Sequence, residues 1–104
     1  MKNMKKIRVL LVEDQAVVRE GLAAILSYVD DIEVVGQAKD GIEAVEMLAE
    51  SRPDVILLDL VMPRQDGLAT IPIIKEKLPD AHILVLTSFA DNDRVYQAIK
   101  FGAQ

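Results

Sequence analysis

The sequence predicts an α/β domain of the doubly wound class, built around a parallel sheet, and three observations carry that expectation. Four short apolar runs alternate with four segments of helical periodicity. The links between them are short, which favours right-handed crossovers that return each strand to one sheet. The run Val55-Ile56-Leu57-Leu58 has no polar alternation, as suits a strand buried on both faces. The expected spatial order of these strands is 2-1-3-4, and sites in open parallel sheets form at the carboxyl ends of such strands.

The first strand is Ile7-Arg8-Val9-Leu10-Leu11-Val12, closed by Glu13-Asp14. From Gln15 to Val29, apolar residues fall at Val17, Val18, Leu22, Ile25, Leu26 and Val29, with Arg19 and Glu20 on the other face. Spacings of three and four make this an amphipathic helix, which Asp30-Asp31 breaks. Ile32 to Ala38 is a short β-branched strand. Asp40-Gly41 opens the helical pattern Ile42 to Ala49, and Arg52-Pro53 ends it. The third strand runs from Asp54 to Asp59. A loop with Met62-Pro63 and Asp66-Gly67 leads to a helix near Leu68 to Leu78. Pro72 is expected to confine or bend that helix, since proline is tolerated only in a first turn. Leu78-Pro79-Asp80 closes it. Ala81 to Leu86 forms the fourth strand, ending at Thr87-Ser88, and Asp91 to Phe101 forms a fourth helix with Gly102 as its cap.

Composition narrows the function. At 104 residues and 51% hydrophobic, the chain suits one domain with its own core. Its 17 acidic against 12 basic side chains give a net charge of −5, so broad attraction to nucleic acid phosphates is not expected of this chain itself. There is no cysteine, which excludes disulfides and thiolate metal sites and suits a reducing compartment such as the cytoplasm. The basic start from Met1 to Lys6 leads into an apolar stretch too short for a signal peptide. No run approaches the ~20 apolar residues of a membrane helix.

The carboxylates carry the chemistry. Asp59 ends a buried run, Glu13 and Asp14 end another, and Thr87 ends a third; strands one, three and four are neighbours in the expected order. Crowded carboxylates raise one another's proton affinity unless a cation neutralises them. An all-oxygen set is what Mg²⁺ prefers. A metal would admit a phosphate dianion, Asp59 could act as the nucleophile that forms an acyl phosphate, and Thr87 could hydrogen-bond a phosphoryl oxygen. Each signal taken singly has a plainer reading: Glu13-Asp14 as a solvated strand end or helix cap, Asp66-Gly67 as a turn and helix start, Thr87-Ser88 as a polar strand end.

Val12-Glu13-Asp14, Leu58-Asp59-Leu60-Val61-Met62-Pro63 with Asp66-Gly67, and Leu86-Thr87-Ser88 together resemble the receiver domain of bacterial two-component response regulators. Arg19-Glu20-Gly21-Leu22, Val34 to Ala38, Leu86 to Phe89, and Ala98 to Ala103 are similar to the NarL/FixJ branch, whose full-length members carry a LuxR-type helix-turn-helix. The resemblance implies a flavodoxin-like fold in which Asp59 accepts a phosphoryl group from a sensor histidine kinase. It further implies that Glu13, Asp14 and Asp59, with the main-chain carbonyl of Val61, hold Mg²⁺, and that Thr87 moves toward the phosphate as a switch. On this reading the chain is no enzyme beyond Mg²⁺-dependent self-phosphorylation and slow autodephosphorylation. The apolar Val61 and Phe89, each two residues past a site residue, are the basis for expecting slow loss of phosphate.

Receivers of this kind continue past a turn like Gly102-Ala103 into a fifth strand, which brings a lysine to the phosphate, and a fifth helix. The given sequence stops at Gln104. The expectation is one receiver domain over residues 1–104, incomplete at its carboxyl end, with Lys100 and Tyr96 as helix residues rather than substitutes for the family's lysine and aromatic. The edge Ile83 to Leu86 and the sheet face beside the first helix would then lie open. Two accounts follow: a piece of a longer regulator that contacts DNA only through a further domain, or an edge covered by a second copy through strand pairing or segment exchange. Other readings are a stand-alone receiver acting through protein contacts, a haloacid-dehalogenase-type phosphatase, where Val61 replaces the second acid, and a flavin binder, which Glu13-Asp14 would oppose by repelling the phosphate.

Overall fold

The computed structural model describes residues 6–59 and 67–86. The expected fourth helix, Val61, Thr87 and Phe89 lie outside the described residues. Seven elements alternate: β1 (Ile7–Val12), α1 (Ala16–Leu26), β2 (Ile32–Ala38), α2 (Gly41–Ser51), β3 (Val55–Asp59), α3 (Gly67–Lys77) and β4 (His82–Leu86). The sheet order is β2-β1-β3-β4 and every pairing is parallel, the order and fold class expected.

The sheet has one irregularity. Val9 pairs with Val34 but Leu10 pairs with Gly36, so Val35 is an extra residue, a bulge of the kind rare between parallel strands. A Cβ at position 36 would lie 2.9 Å from Leu10 Cδ1 and 3.5 Å from Met47 Sδ. Only glycine lets β2, β1 and α2 approach this closely.

Helix α2 starts where the sequence says. The Asp40 carboxylate accepts the Glu43 N–H at 2.8 Å, and the Glu43 carboxylate accepts the Lys39 N–H at 2.8 Å, a reciprocal cap that satisfies two free donors. Its end is less ordinary, for Arg52 adopts the left-handed conformation at φ 44° and ψ 61°. That costs a non-glycine residue roughly 1–2 kcal/mol. Pro53 disfavours continuation of the helix at Arg52, and Arg8 holds the turn, its guanidinium donating to Ser51 O at 2.7 Å and Arg52 O at 3.3 Å.

One expected helix ends earlier than the sequence reading, and another carries a proline within it. Helix α1 ends at Leu26 rather than at Val29, because Tyr28 N–H and Val29 N–H bond to Ile25 O and Leu26 O, three residues back, in a tighter turn. Helix α3 spans Gly67–Lys77, close to the expected Leu68 to Leu78, with Pro72 as its sixth residue. An interior proline costs about 3 kcal/mol. Pro72 is exposed while Thr70, Ile71 and Ile74 are fully buried, and two buried isoleucines contribute roughly 1.5–3 kcal/mol each, enough to keep the helix intact.

The two faces of the sheet are unequally covered. Leu10, Val12, Ile56, Leu58 and Ile83 form one core cluster with Ala44 and Leu48 of α2 and Ile71 and Ile74 of α3. By strand alternation Val9 and Leu11 face the other way, toward the side where α1 contacts β1 and β2. Helix α1 buries no residue, and its Val17, Ile25 and the following Tyr28 are 85%, 64% and 87% exposed. Leu84, alternating with Ile83, is also exposed, on the side expected to lie open.

Candidate functional site

The site grows from the register of the central strands. Val12 pairs with Leu58, and Leu58 with Val85, so the three strands reach their carboxyl ends level. Glu13 and Asp59 are each the next residue along, on strands about 4.8 Å apart. Asp59 in turn pairs with Leu86, the residue that precedes Thr87. The expected convergence therefore holds for the main chain of Glu13, Asp14 and Asp59, while Val61 and Thr87 fall outside the described residues.

Glu13 is not a solvated strand end. It is 6% exposed, and its N–H extends the β1–β2 ladder to Ala38 O at 3.0 Å. The helix-cap reading is partly right: Gln15 at the start of α1 makes no side-chain cap, and the Glu13 carboxylate accepts the Gln15 N–H at 3.1 Å. A buried anion at a helix N-terminus is stabilised by the dipole. Asp14 beside it is half-buried. Asp66-Gly67 was read as a turn and helix start, and α3 does begin at Gly67.

Two residues of this rim escaped the sequence reading. Arg19, assigned to the outer face of α1, turns back so that Nη1 donates to Glu13 O at 2.7 Å. The signal was its place in the first turn, since helical side chains lean toward the N-terminus. Asp40, two residues past the end of β2, is 2% exposed; Asp40-Gly41 was read as a helix opening, which did not show the burial.

Whether these residues suit Mg²⁺ can be judged from their donors. The ion takes hard oxygens and retains several waters, so one or two carboxylates suffice. A buried Glu13 next to Asp14 offers that, with Asp59 on the adjoining strand. Among the described residues no group of three or more His, Cys, Asp or Glu side chains stands close enough to hold a metal ion. The cavity of about 410 Å³ lined by Arg52, Asp54, Leu78 and His82 lies at the amino ends of β3 and β4, away from these acids. Among the described residues no helix is long and apolar enough to cross a membrane.

The model of the response regulator receiver domain matches residues 9–104. The chain is 53% identical over 97 residues to the transcriptional regulatory protein LiaR of Bacillus subtilis strain 168, covering 93% of this chain and 46% of LiaR. It is 43% identical over 98 residues to the oxygen regulatory protein NreC of a Staphylococcus epidermidis strain, covering 93% and 45%. The chain thus spans about half the length of these relatives, both regulators of the NarL/FixJ type. Among solved structures, the response regulator domain of Thermotoga maritima CheB superposes with a TM-score of 0.88 at 38% identity, covering 95% of this chain and 75% of that one. The signal receiver domain of NarL from Mycobacterium tuberculosis gives 0.88 at 34%, covering 95% and 80%. Receiver domains are signalling domains that bind Mg²⁺, and by the match over residues 9–104 this chain belongs to that family, the response regulator receiver domains.

Proposed function

We propose that Asp59 is the phosphoacceptor of this chain and that a sensor histidine kinase is its donor. The observation that carries this reading is the pairing Val12 to Leu58, which sets the buried Glu13 level with Asp59 on the next strand. A carboxylate oxygen of Asp59 attacks the phosphorus of a phosphohistidine. The new P–O bond forms as the P–N bond breaks, and the imidazole leaves and takes up a proton. Glu13 and Asp14, with Asp59 and the main-chain carbonyl of Val61, would hold Mg²⁺, which supplies charge neutralisation for the transferring group. Glu13 is fixed for that task by its bonds to Ala38 and Gln15.

The aspartyl phosphate adds charge and acceptor oxygens at the strand end, and Thr87 is the residue we assign to meet them and relay the change. Small phosphodonors give the same product without a kinase, so the chain catalyses its own Mg²⁺-dependent phosphorylation, and slow autodephosphorylation follows from the apolar Val61 and Phe89. The phosphoryl group of a histidine kinase derives from ATP, which places the chain in the cytoplasm. The output is DNA binding by a helix-turn-helix elsewhere in a longer regulator; relatives such as LiaR, a transcriptional regulator about twice the matched length, support this over a stand-alone receiver.

Incubation with Mg²⁺ and acetyl phosphate tests the reading by intact mass. One added phosphoryl group is expected, lost in Asp59→Asn and on chelation of the metal. An adduct that persists in Asp59→Asn would overturn the assignment.

A further inference from the structure

We propose that Arg19 is a positioning residue for the acidic corner, clamping the segment that carries Glu13 and Asp14 against the start of α1. This inference rests on the metal-binding reading above. One side-chain bond carries it: Arg19 Nη1 donates to Glu13 O at 2.7 Å, across a turn whose first helical backbone bond, Arg19 N–H to Gln15 O at 2.9 Å, fixes where the guanidinium starts. The carbonyl before Asp14 is therefore held by the Arg19 guanidinium, and the one after it by the first turn of the helix. A third bond, Gln15 N–H to the Glu13 carboxylate at 3.1 Å, closes the turn.

Hydrophobic packing does little to fix this segment. Helix α1 buries no residue, so its place against β1 depends on polar ties more than that of α2 or α3. Glu13 O belongs to a residue that is 6% exposed, and a buried carbonyl stripped of its donor is costly. The Arg19 bond is charge-assisted and among the stronger kind.

The two possible influences of Arg19 on a bound cation have opposite signs, which makes the proposal decisive to test. A guanidinium near the site repels Mg²⁺, so if charge alone mattered, its removal would tighten binding. A clamp that orders the ligands does the reverse. Loss of outer partners of metal ligands typically weakens affinity by roughly 10–100-fold.

The experiment titrates the metal-free full chain with Mn²⁺, followed by electron paramagnetic resonance of the free ion, in wild type, Arg19→Met, Arg19→Lys and Asp14→Asn. Arg19→Met is expected to weaken Mn²⁺ binding about tenfold, with Arg19→Lys in between. Amide exchange at residues 13–15 of the metal-free protein should accelerate in the same order while α2 and α3 stay protected. Unchanged or tighter binding in a folded Arg19→Met would overturn the proposal. Should that variant fail to fold, Arg19→Lys decides, since wild-type affinity and exchange there would refute a clamp. Failure of the wild-type chain to bind Mn²⁺, or indifference to Asp14→Asn, would instead defeat the metal reading, and exchange at residues 13–15 would still judge the clamp.

Discussion

The face of the sheet under α2 and α3 is a closed core, while the face under α1 is held by a helix without one buried side chain. Both helical segments beside these faces are comparably apolar in sequence. The difference teaches that amphipathic pattern states which side of a helix can be buried, and only the neighbours decide whether it is. On the α2–α3 side Leu48, Ile71 and Ile74 interdigitate with Leu10, Ile56 and Ile83. On the α1 side Val17 and Ile25 remain largely in water, and the main tie at the helix start is the polar one from Arg19 to Glu13.

The sharpest test compares matched truncations. Ile74→Ala should destabilise the chain by about 2–5 kcal/mol, because it opens a cavity in a filled core. Ile25→Ala should cost no more than about 0.5 kcal/mol. Urea unfolding of both variants measures the gap, and equal losses would show that α1 is as tightly packed as the other helices. A smaller effect is expected at the bulge. Gly36→Ala places a methyl 2.9 Å from Leu10 Cδ1, and overpacking of this kind costs about 1–3 kcal/mol; a variant as stable as wild type would mean that Leu10 yields freely. The smallest effect has the opposite sign. Arg52→Gly removes the left-handed strain at the end of α2 and should stabilise by roughly 0.5–1 kcal/mol, read as a rise in the thermal midpoint. A fall would show that the Arg52 side chain contributes more than its backbone costs.

Much of this was legible along the chain because its causes are local. β1 and β2 occupy the segments expected from Ile7 to Val12 and from Ile32 to Ala38, since β-branched runs bounded by acids and turns need no distant partner to be recognised. Asp40-Gly41 announced a helix start for the same reason. The helix around Pro72 was legible too, although the local cost of the proline is real; burial of Ile71 and Ile74 against the sheet outweighs it. The bulge at Val35 and the left-handed Arg52 gave no warning, because the first exists only in pairing with β1 and the second is supported by Arg8 on another strand.

The sequence by itself determined the α/β class and the acids that end β1 and β3, because periodicity and short crossovers leave few ways to assemble four strands, while the strand order followed from the flavodoxin-like fold that the motifs resemble. The tertiary structure alone decided that Glu13 is buried instead of solvated, that Arg19 turns inward to it, and that α2 and α3 bury side chains against one sheet face while α1 buries none against the other. The burial depends on packing between residues far apart in the chain, and the Arg19 bond, though local in sequence, forms only once β1 and α1 are docked.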